Sequence, residues 1–316
     1  MNPSIVLLLS ISCILILLRL KVHPGPAVFL GSLILSLLVL PARETPLIMF
    51  ETVSSLETIR LIGIIIAALA LSKLMELRGL LVRLAHTLET IGPRLAMHVV
   101  PSVIGMVPMP GGALVSATAV KGLVRRLAIT PAQATYINFW FRHTWELSVP
   151  VYPGVIAASV VLSVPLSLVV LTMLPSIPLF ILIGGVVSHR MLRDIPSERP
   201  QGLPLPELLK ELIHAAWPVI ILVAMVLAGV EAALAFVIAG VLLAMQQRAP
   251  RREILEALKY GFGVKVLFLL YSVMLYKGIV EESGAAYALF SDMQAVGLPT
   301  WVILVVLPML IGFATG

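Results

Sequence analysis

Apolar residues run through this chain in blocks long enough for a helix to enter or cross a membrane, and short clusters of charge part the blocks. The first block, Ser4 to Leu18, has no basic segment before it and carries Arg19 and Lys21 behind it, the wrong order for a cleaved signal peptide. It predicts a retained first span. Pro26 to Leu40 predicts a second, and Glu44 to Glu57, of mixed composition, predicts a surface helix. A third span is expected over Leu61 to Leu77, followed by an amphipathic piece, Arg78 to Thr90. The run Leu95 to Val107 is too short to cross unaided and halts at Pro108, Pro110, Gly111 and Gly112, after which a short apolar return, Ala113 to Val124, begins. Arg94 stands at one end of this up-and-back unit, and Lys121, Arg125 and Arg126 at the other. Like charges at both ends favour one side of the bilayer, so a re-entrant hairpin that turns within the membrane is expected.

The stretch from Pro131 to Arg190 has basic residues at both flanks and so requires an even number of crossings. One long broken helix, Ala132 to Val164, interrupted around Pro150, Pro153 and Gly154, and a second helix, Pro165 to His189, satisfy that count. Beyond the polar, Pro-rich stretch Arg190 to Pro206 come spans near Ile213 to Gly229 and Ala232 to Met245. A basic surface segment, Arg248 to Lys259, follows, then a span, Val264 to Leu275, an amphipathic piece, Val280 to Val296, and a last apolar run, Trp301 to Ala314.

Composition agrees with an all-α polytopic membrane protein. Of 316 residues, 59% are hydrophobic and 12% charged, against roughly 45–50% and about 25% in soluble domains; the mean hydropathy is +1.07. The net charge of +6 is an orientation signal rather than a nucleic-acid footprint, because the basic residues sit in the short segments between spans. Under this layout eighteen of the 22 basic residues fall on the cytoplasmic side, three (Arg43, Arg60, Lys277) outside, and only Arg142 at membrane depth. The N-terminus is then outside and the protein multi-pass in the cell (cytoplasmic) membrane. A lone cysteine, Cys13, excludes an intramolecular disulfide and any Cys-rich metal site.

The two halves follow one order: two spans, a surface segment, a span, an amphipathic piece, then an apolar run meeting Pro and Gly. Lys73 and Gly79 match Lys277 and Gly284, Ile91-Gly92-Pro93 resembles Val296-Gly297-Leu298-Pro299, and the run at Val100 resembles that at Leu307. The first half crosses an odd number of times, so the second starts on the opposite side, which predicts an inverted-repeat transporter fold with re-entrant hairpins and broken helices. Likeness by apolar composition alone is the other explanation. The expected organisation is a first repeat, 1–190, a cytoplasmic linker, 191–206, and a second repeat, 207–316, truncated where its hairpin should turn.

The densest polar run at membrane depth is Thr135 to Glu146. Asn138, Arg142 and Glu146 are spaced by four, which puts them on one face of a continuous helix, with His143 adjacent. Charge at membrane depth costs at least ~2.5–3.5 kcal/mol per residue on insertion scales, and such residues usually mark a pathway. A closed Arg142–Glu146 structural pair, or an Arg142 that snorkels to an interface, is the plainer alternative. The hairpin tip supplies the second feature: Pro108 and Pro110 remove backbone donors, and Gly111 and Gly112 open the return helix, whose N-terminal amides favour an anion, with Ser116 just inside. Gly312, Thr315 and Gly316 stand at the matching place in the second repeat. No His/Cys/Asp/Glu spacing suits a metal, and no hydrolase or nucleotide motif occurs, so an enzyme is not expected; Glu146 and His143 lack a nucleophile to serve.

Pro108-Met109-Pro110-Gly111-Gly112-Ala113-Leu114-Val115-Ser116, together with Asn138-x-x-Phe141-Arg142-His143-x-x-Glu146-x-x-x-Pro150-x-Tyr152-Pro153, resembles the integral membrane family called domain of unknown function 401. That family is grouped with the ion-transporter superfamily, beside gluconate permeases and sodium-coupled dicarboxylate symporters. The resemblance implies an inverted-repeat fold with two hairpins and two broken helices around a central site, and a length of roughly 400 residues. The functional expectation is a secondary active transporter of a small anion, an organic carboxylate, coupled to Na⁺ or H⁺, with no cofactor. A non-transporting scaffold or accessory subunit that kept the fold is the alternative. The expected partners are the anionic solute and membrane lipid, with a homodimer compatible and no nucleic acid.

Overall fold

The computed structural model describes residues 2–106, 112–193, 202–305 and 309. Among them the chain is helical, with turns and no strand. The elements are α1 (Pro3–Arg19), α2 (Pro24–Val39), α3 (Glu44–Ser54), α4 (Leu56–Leu77), α5 (Leu80–Glu89), α6 (Pro93–Ile104), α7 (Gly112–Ala119), α8 (Lys121–Arg126) and α9 (Pro131–Arg142). After them come α10 (Pro153–Val161), α11 (Leu166–Met173), α12 (Ser176–Met191), α13 (Leu205–Leu227), α14 (Ala232–Gln246), α15 (Arg251–Gly261), α16 (Val264–Ser283) and α17 (Ala285–Ala295). Four stretches are long and apolar enough to cross a membrane: α4, α11 with α12, α13, and α15 with α16; α1, α2 and α14 are shorter apolar helices. Large apolar side chains lie exposed along them, as at Leu30, Leu182 and Leu234. A water-soluble protein does not leave so many uncovered, whereas a bilayer solvates them. The chain is an all-helical membrane protein.

Two compact units make up the chain. The first, residues 1–62 with 262–316, is built on α2, which packs against α1 and α16, while α17 packs against α1. Val6, Leu7, Leu35, Leu275 and Ile279 form its core. Two hydroxyl pairs bind it, Ser10 Oγ to Tyr276 Oη at 2.8 Å and Ser36 Oγ to Thr45 Oγ1 at 2.7 Å, which satisfies polar groups that burial would otherwise leave without a partner. The second unit, residues 63–261, packs α6 against α5 and α9, α7 against α6 and α9, α12 against α9, and α13 against α5 and α14. Met97, Val100, Ile104, Ile137 and Phe141 belong to its core. Each unit draws helices from both halves of the chain, so the packing units are not the sequence halves.

Helix order repeats along the chain. α3 and α15 are both eleven residues long and start at Glu44 and Arg251, and the α4–α5 and α16–α17 pairs are each broken at a left-handed glycine, Gly79 (φ 68°) and Gly284 (φ 62°). Only a residue without Cβ adopts that conformation freely, so the same residue type ends the same helix in both halves. Gly92 and Gly297, which follow α5 and α17, also have positive φ.

Several boundaries differ from the sequence expectation. The third span begins at Leu56 rather than Leu61, and α16 runs on to Ser283 instead of ending near Leu275, since nothing before Gly284 obstructs it. The hairpin return divides at Val120 into α7 and α8, and the helix expected from Pro165 divides at Pro175, whose ring removes an amide donor. The largest difference is in the broken helix. Its first part ends at Arg142, so the break opens seven residues before Pro150.

Candidate functional site

Three helices frame the break. α9 starts with Pro131 at its first position and a reciprocal cap, Thr130 accepting from the Gln133 amide while the Gln133 side chain accepts from Thr130. Asn138 and Arg142, one turn apart, are both buried on α9, and α6 and α7 pack against this helix.

The α-helix cannot continue beyond Arg142 for local and tertiary reasons. Pro150 has no N–H to give the Glu146 carbonyl and its ring would strike that carbonyl, while Pro153 does the same to Val149. The segment is also tied sideways to α6. Trp145 Nε1 donates to Ser102 Oγ at 2.9 Å, and the Tyr152 hydroxyl donates to the carbonyl of Gly105. The Arg142 carbonyl lies so close to Gly105 that any Cβ at that glycine would collide with it. The result is a chain of single turns from His143 to Tyr152, carried by bonds such as Glu146 N–H to His143 O at 3.3 Å and Ser148 N–H to Trp145 O at 3.2 Å.

This corrects the expected placement of Glu146. It does not share a helix face with Asn138 and Arg142; it stands in the turns, and its side chain is 37% exposed whereas that of Arg142 is 6% exposed. The two still meet, Arg142 Nη1 to Glu146 Oε1 at 3.4 Å, and His143 Nε2 approaches the same oxygen at 3.7 Å. His143 is further held by a hydrogen bond between its Nδ1 and the Phe139 carbonyl. Ser116 is fully buried on α7, whose first residue is Gly112. Pro108, Pro110, Gly111, Gly312, Thr315 and Gly316 lie outside the described residues, so the hairpin tip and its counterpart are not placed.

The break also holds residues that the sequence reading passed over. Thr144 and Ser148 are fully buried, and their hydroxyl oxygens make no hydrogen bond; Arg142 Nε is buried without one as well. A buried unsatisfied polar group costs about 1–3 kcal/mol, and three fall here within seven residues. Further such atoms among the described residues include Ser4 Oγ, Arg78 Nε, Tyr136 Oη and Trp217 Nε1. A guanidinium N–H and two hydroxyls, each buried, are groups of the kind that an anion or water satisfies. Nothing in the sequence distinguishes Thr144 and Ser148 from ordinary helix residues, except that their four-residue spacing runs beside that of Arg142 and Glu146. Among the described residues no cluster of His, Cys, Asp or Glu could hold a metal ion.

Helices of membrane-spanning length, bathed in exposed apolar side chains and interrupted around a buried arginine, define an integral membrane protein with a polar site at a helix break. Residues 2–316 match the family described as protein of unknown function (DUF401), and the chain belongs to that family. No match was found among curated proteins.

Proposed function

We propose that this protein is a secondary active transporter of a small anion, an organic carboxylate, coupled to Na⁺ or H⁺, and that the break between α9 and α10 is part of its solute site. The observation that carries the reading is the group of buried donors without partners, Arg142 Nε, Thr144 Oγ1 and Ser148 Oγ. A carboxylate has two oxygens that accept from a guanidinium and from hydroxyls, and it brings the opposite charge. Glu146, partly exposed and within reach of both Arg142 and His143, is suited to the coupling cation or proton.

The architecture proposed with this function is an inverted repeat of the ion-transporter superfamily, multi-pass in the cytoplasmic membrane with the N-terminus outside. Its support is the matched helix order and the paired left-handed glycines, together with interrupted helices around buried polar groups, the construction that transporters use where backbone must leave the helix. Reconstitution into proteoliposomes tests the function directly. Under an imposed Na⁺ or proton gradient the protein is expected to accumulate at least one labelled mono- or dicarboxylate, and Arg142→Gln to lower that uptake by roughly tenfold or more. Absence of uptake across a broad anion panel, with a stoichiometric protein partner co-purifying instead, would replace transport by a scaffold role.

A further inference from the structure

Behind the break lies a second feature that solute transport does not use. A cavity of about 580 Å³ opens between α6, the end of α9 and α12 in the second unit, within the ~300–1,000 Å³ range of small-molecule sites. Its wall is carbon over most of its length: Leu95, Val99 and Val103 on one side, Phe141 and Ile181 on the other. The polar groups in the wall are already bonded to one another. His98 has Nδ1 at 2.7 Å from the Arg94 carbonyl and Nε2 at 2.9 Å from Ser188 Oγ, and Ser102 accepts from Trp145. An occupant of the middle of this groove therefore needs no polar atoms.

One end is different. Arg94, whose guanidinium also donates to the Leu192 and Arg193 carbonyls, and the exposed His189 line it, and the exposed Arg190 and Arg193 stand beside it in the chain. From Arg94 to Val103 the groove follows ten residues of α6, about 13.5 Å of helix rise over the steps between them, close to half of the ~30 Å hydrocarbon core. α12, which supplies its other wall, belongs with α11 to the least buried of the long apolar stretches, 11% buried. A channel one leaflet deep, apolar along its length, cationic at one end and open beside a lipid-facing helix has the form of a single anionic phospholipid.

Glycine in a helix interior is destabilising by roughly 0.5–1 kcal/mol relative to alanine, so the pair Gly184-Gly185 needs a reason. At Gly184 a Cβ would run into the Trp140 indole, which packs there and donates to the Phe180 carbonyl at 2.9 Å. At Gly185 a Cβ would meet nothing, and this residue lines the groove. The absent side chain at Gly185 keeps the channel open.

We infer that this groove binds one anionic phospholipid, its acyl chain along α6 and α12 and its phosphate at the Arg94–His189 end. The chain then packs on Phe141 and Trp145, the residues that flank Arg142 and hold the break, so lipid binding steadies that segment whatever solute it serves. The test uses the full-length protein, stripped of lipid in a non-ionic detergent, with native mass spectrometry and thermal unfolding upon addition of dioleoyl phosphatidylglycerol or dioleoyl phosphatidylcholine. The wild type is expected to take up one phosphatidylglycerol and to melt at a higher temperature with it, with no such gain from phosphatidylcholine. Gly185→Leu, which fills the groove, is expected to lose both the adduct and the shift. Gly240→Leu, at a helix glycine on α14 that is equally open, keeps both. Should Gly185→Leu fail to fold, Arg190→Gln with Arg193→Gln alters only exposed charge and is expected to weaken phosphatidylglycerol retention. Undiminished lipid response in either variant would overturn the proposal. So would equal stabilisation by the two lipids, or self-association that Gly185→Leu abolishes without any lipid adduct.

Discussion

Arg142 and Lys277 are both cations with little exposure, and their surroundings are opposite. The Lys277 side chain, 12% exposed on α16, has Glu57 Oε2 at 2.8 Å and Glu281 Oε1 at 3.8 Å, both on carboxylates that reach solvent at 49% and 66% exposure. Its charge is answered within the fold. Arg142, 6% exposed, has Glu146 at 3.4 Å and a hydrogen bond with the Tyr152 side chain, while its own Nε and the hydroxyls of Thr144 and Ser148, nearby in sequence, go without hydrogen bonds. Burial of a charge alone therefore does not mark a site. A cation whose partners are complete is architecture, and under the proposed function one beside buried hydroxyls without partners is where the solute completes the set.

Variants at these positions should separate the two cases. The largest effect is expected for Arg142→Gln, which should lower carboxylate uptake in proteoliposomes by roughly 10- to 150-fold, the equivalent of the ~1.5–3 kcal/mol of a hydrogen bond to a charged group. Arg142→Lys should not restore it, because lysine has no counterpart to Nε and no planar fork. Uptake at the wild-type level in Arg142→Gln would return the arginine to a structural role. Next comes Glu146→Leu, which leaves a buried guanidinium without its carboxylate and should cost about 1–3 kcal/mol of stability. Arg142→Met should cost less, because the carboxylate left behind is hydrated. Thermal unfolding of the two single variants and the double variant measures this asymmetry, and equal losses in the two singles would indicate a closed pair.

Smaller and of unusual sign is the expected effect of Thr144→Val and Ser148→Ala. Removing a buried hydroxyl that has no partner should leave the solute-free protein as stable or up to about 1 kcal/mol more so, while solute affinity, read by ligand-induced thermal shift, falls. A loss of stability in the absence of solute would mean that the hydroxyls are satisfied by ordered water. The smallest effect belongs to Lys277→Met, worth about 0–1 kcal/mol as a pair with solvent-exposed partners, with uptake unchanged. A collapse of uptake in that variant would erase the distinction between the two cations.

Much of the helix map was legible in the sequence because lipid and proline impose local rules. The order of α1 to α3, the short α5, the break after α6, the basic α15 and the interruption between α9 and α10 all follow from apolar block length, charge clusters and Pro or Gly positions. That Arg142 would be buried was legible for the same reason, since most of its neighbours in sequence are apolar or aromatic. The position of the break was not. Pro150 and Pro153 exclude regular helix around themselves, but the opening at His143 depends on the Ser102 and Gly105 contacts from α6, about forty residues away in sequence.

Sequence by itself determined that this is a helical membrane protein, because backbone polar groups in lipid must bond within their own segment and long apolar blocks are the only sequences that can pay their way there. It also determined that a buried arginine would have to be accommodated. Tertiary structure decided which polar groups keep it company. The fold moved Glu146 off the Asn138–Arg142 face, buried Thr144 and Ser148 without partners, and gathered helices from both halves of the chain into each compact unit. These are matters of which surfaces meet, and residue spacing along one helix carries no information about the neighbour that bends it.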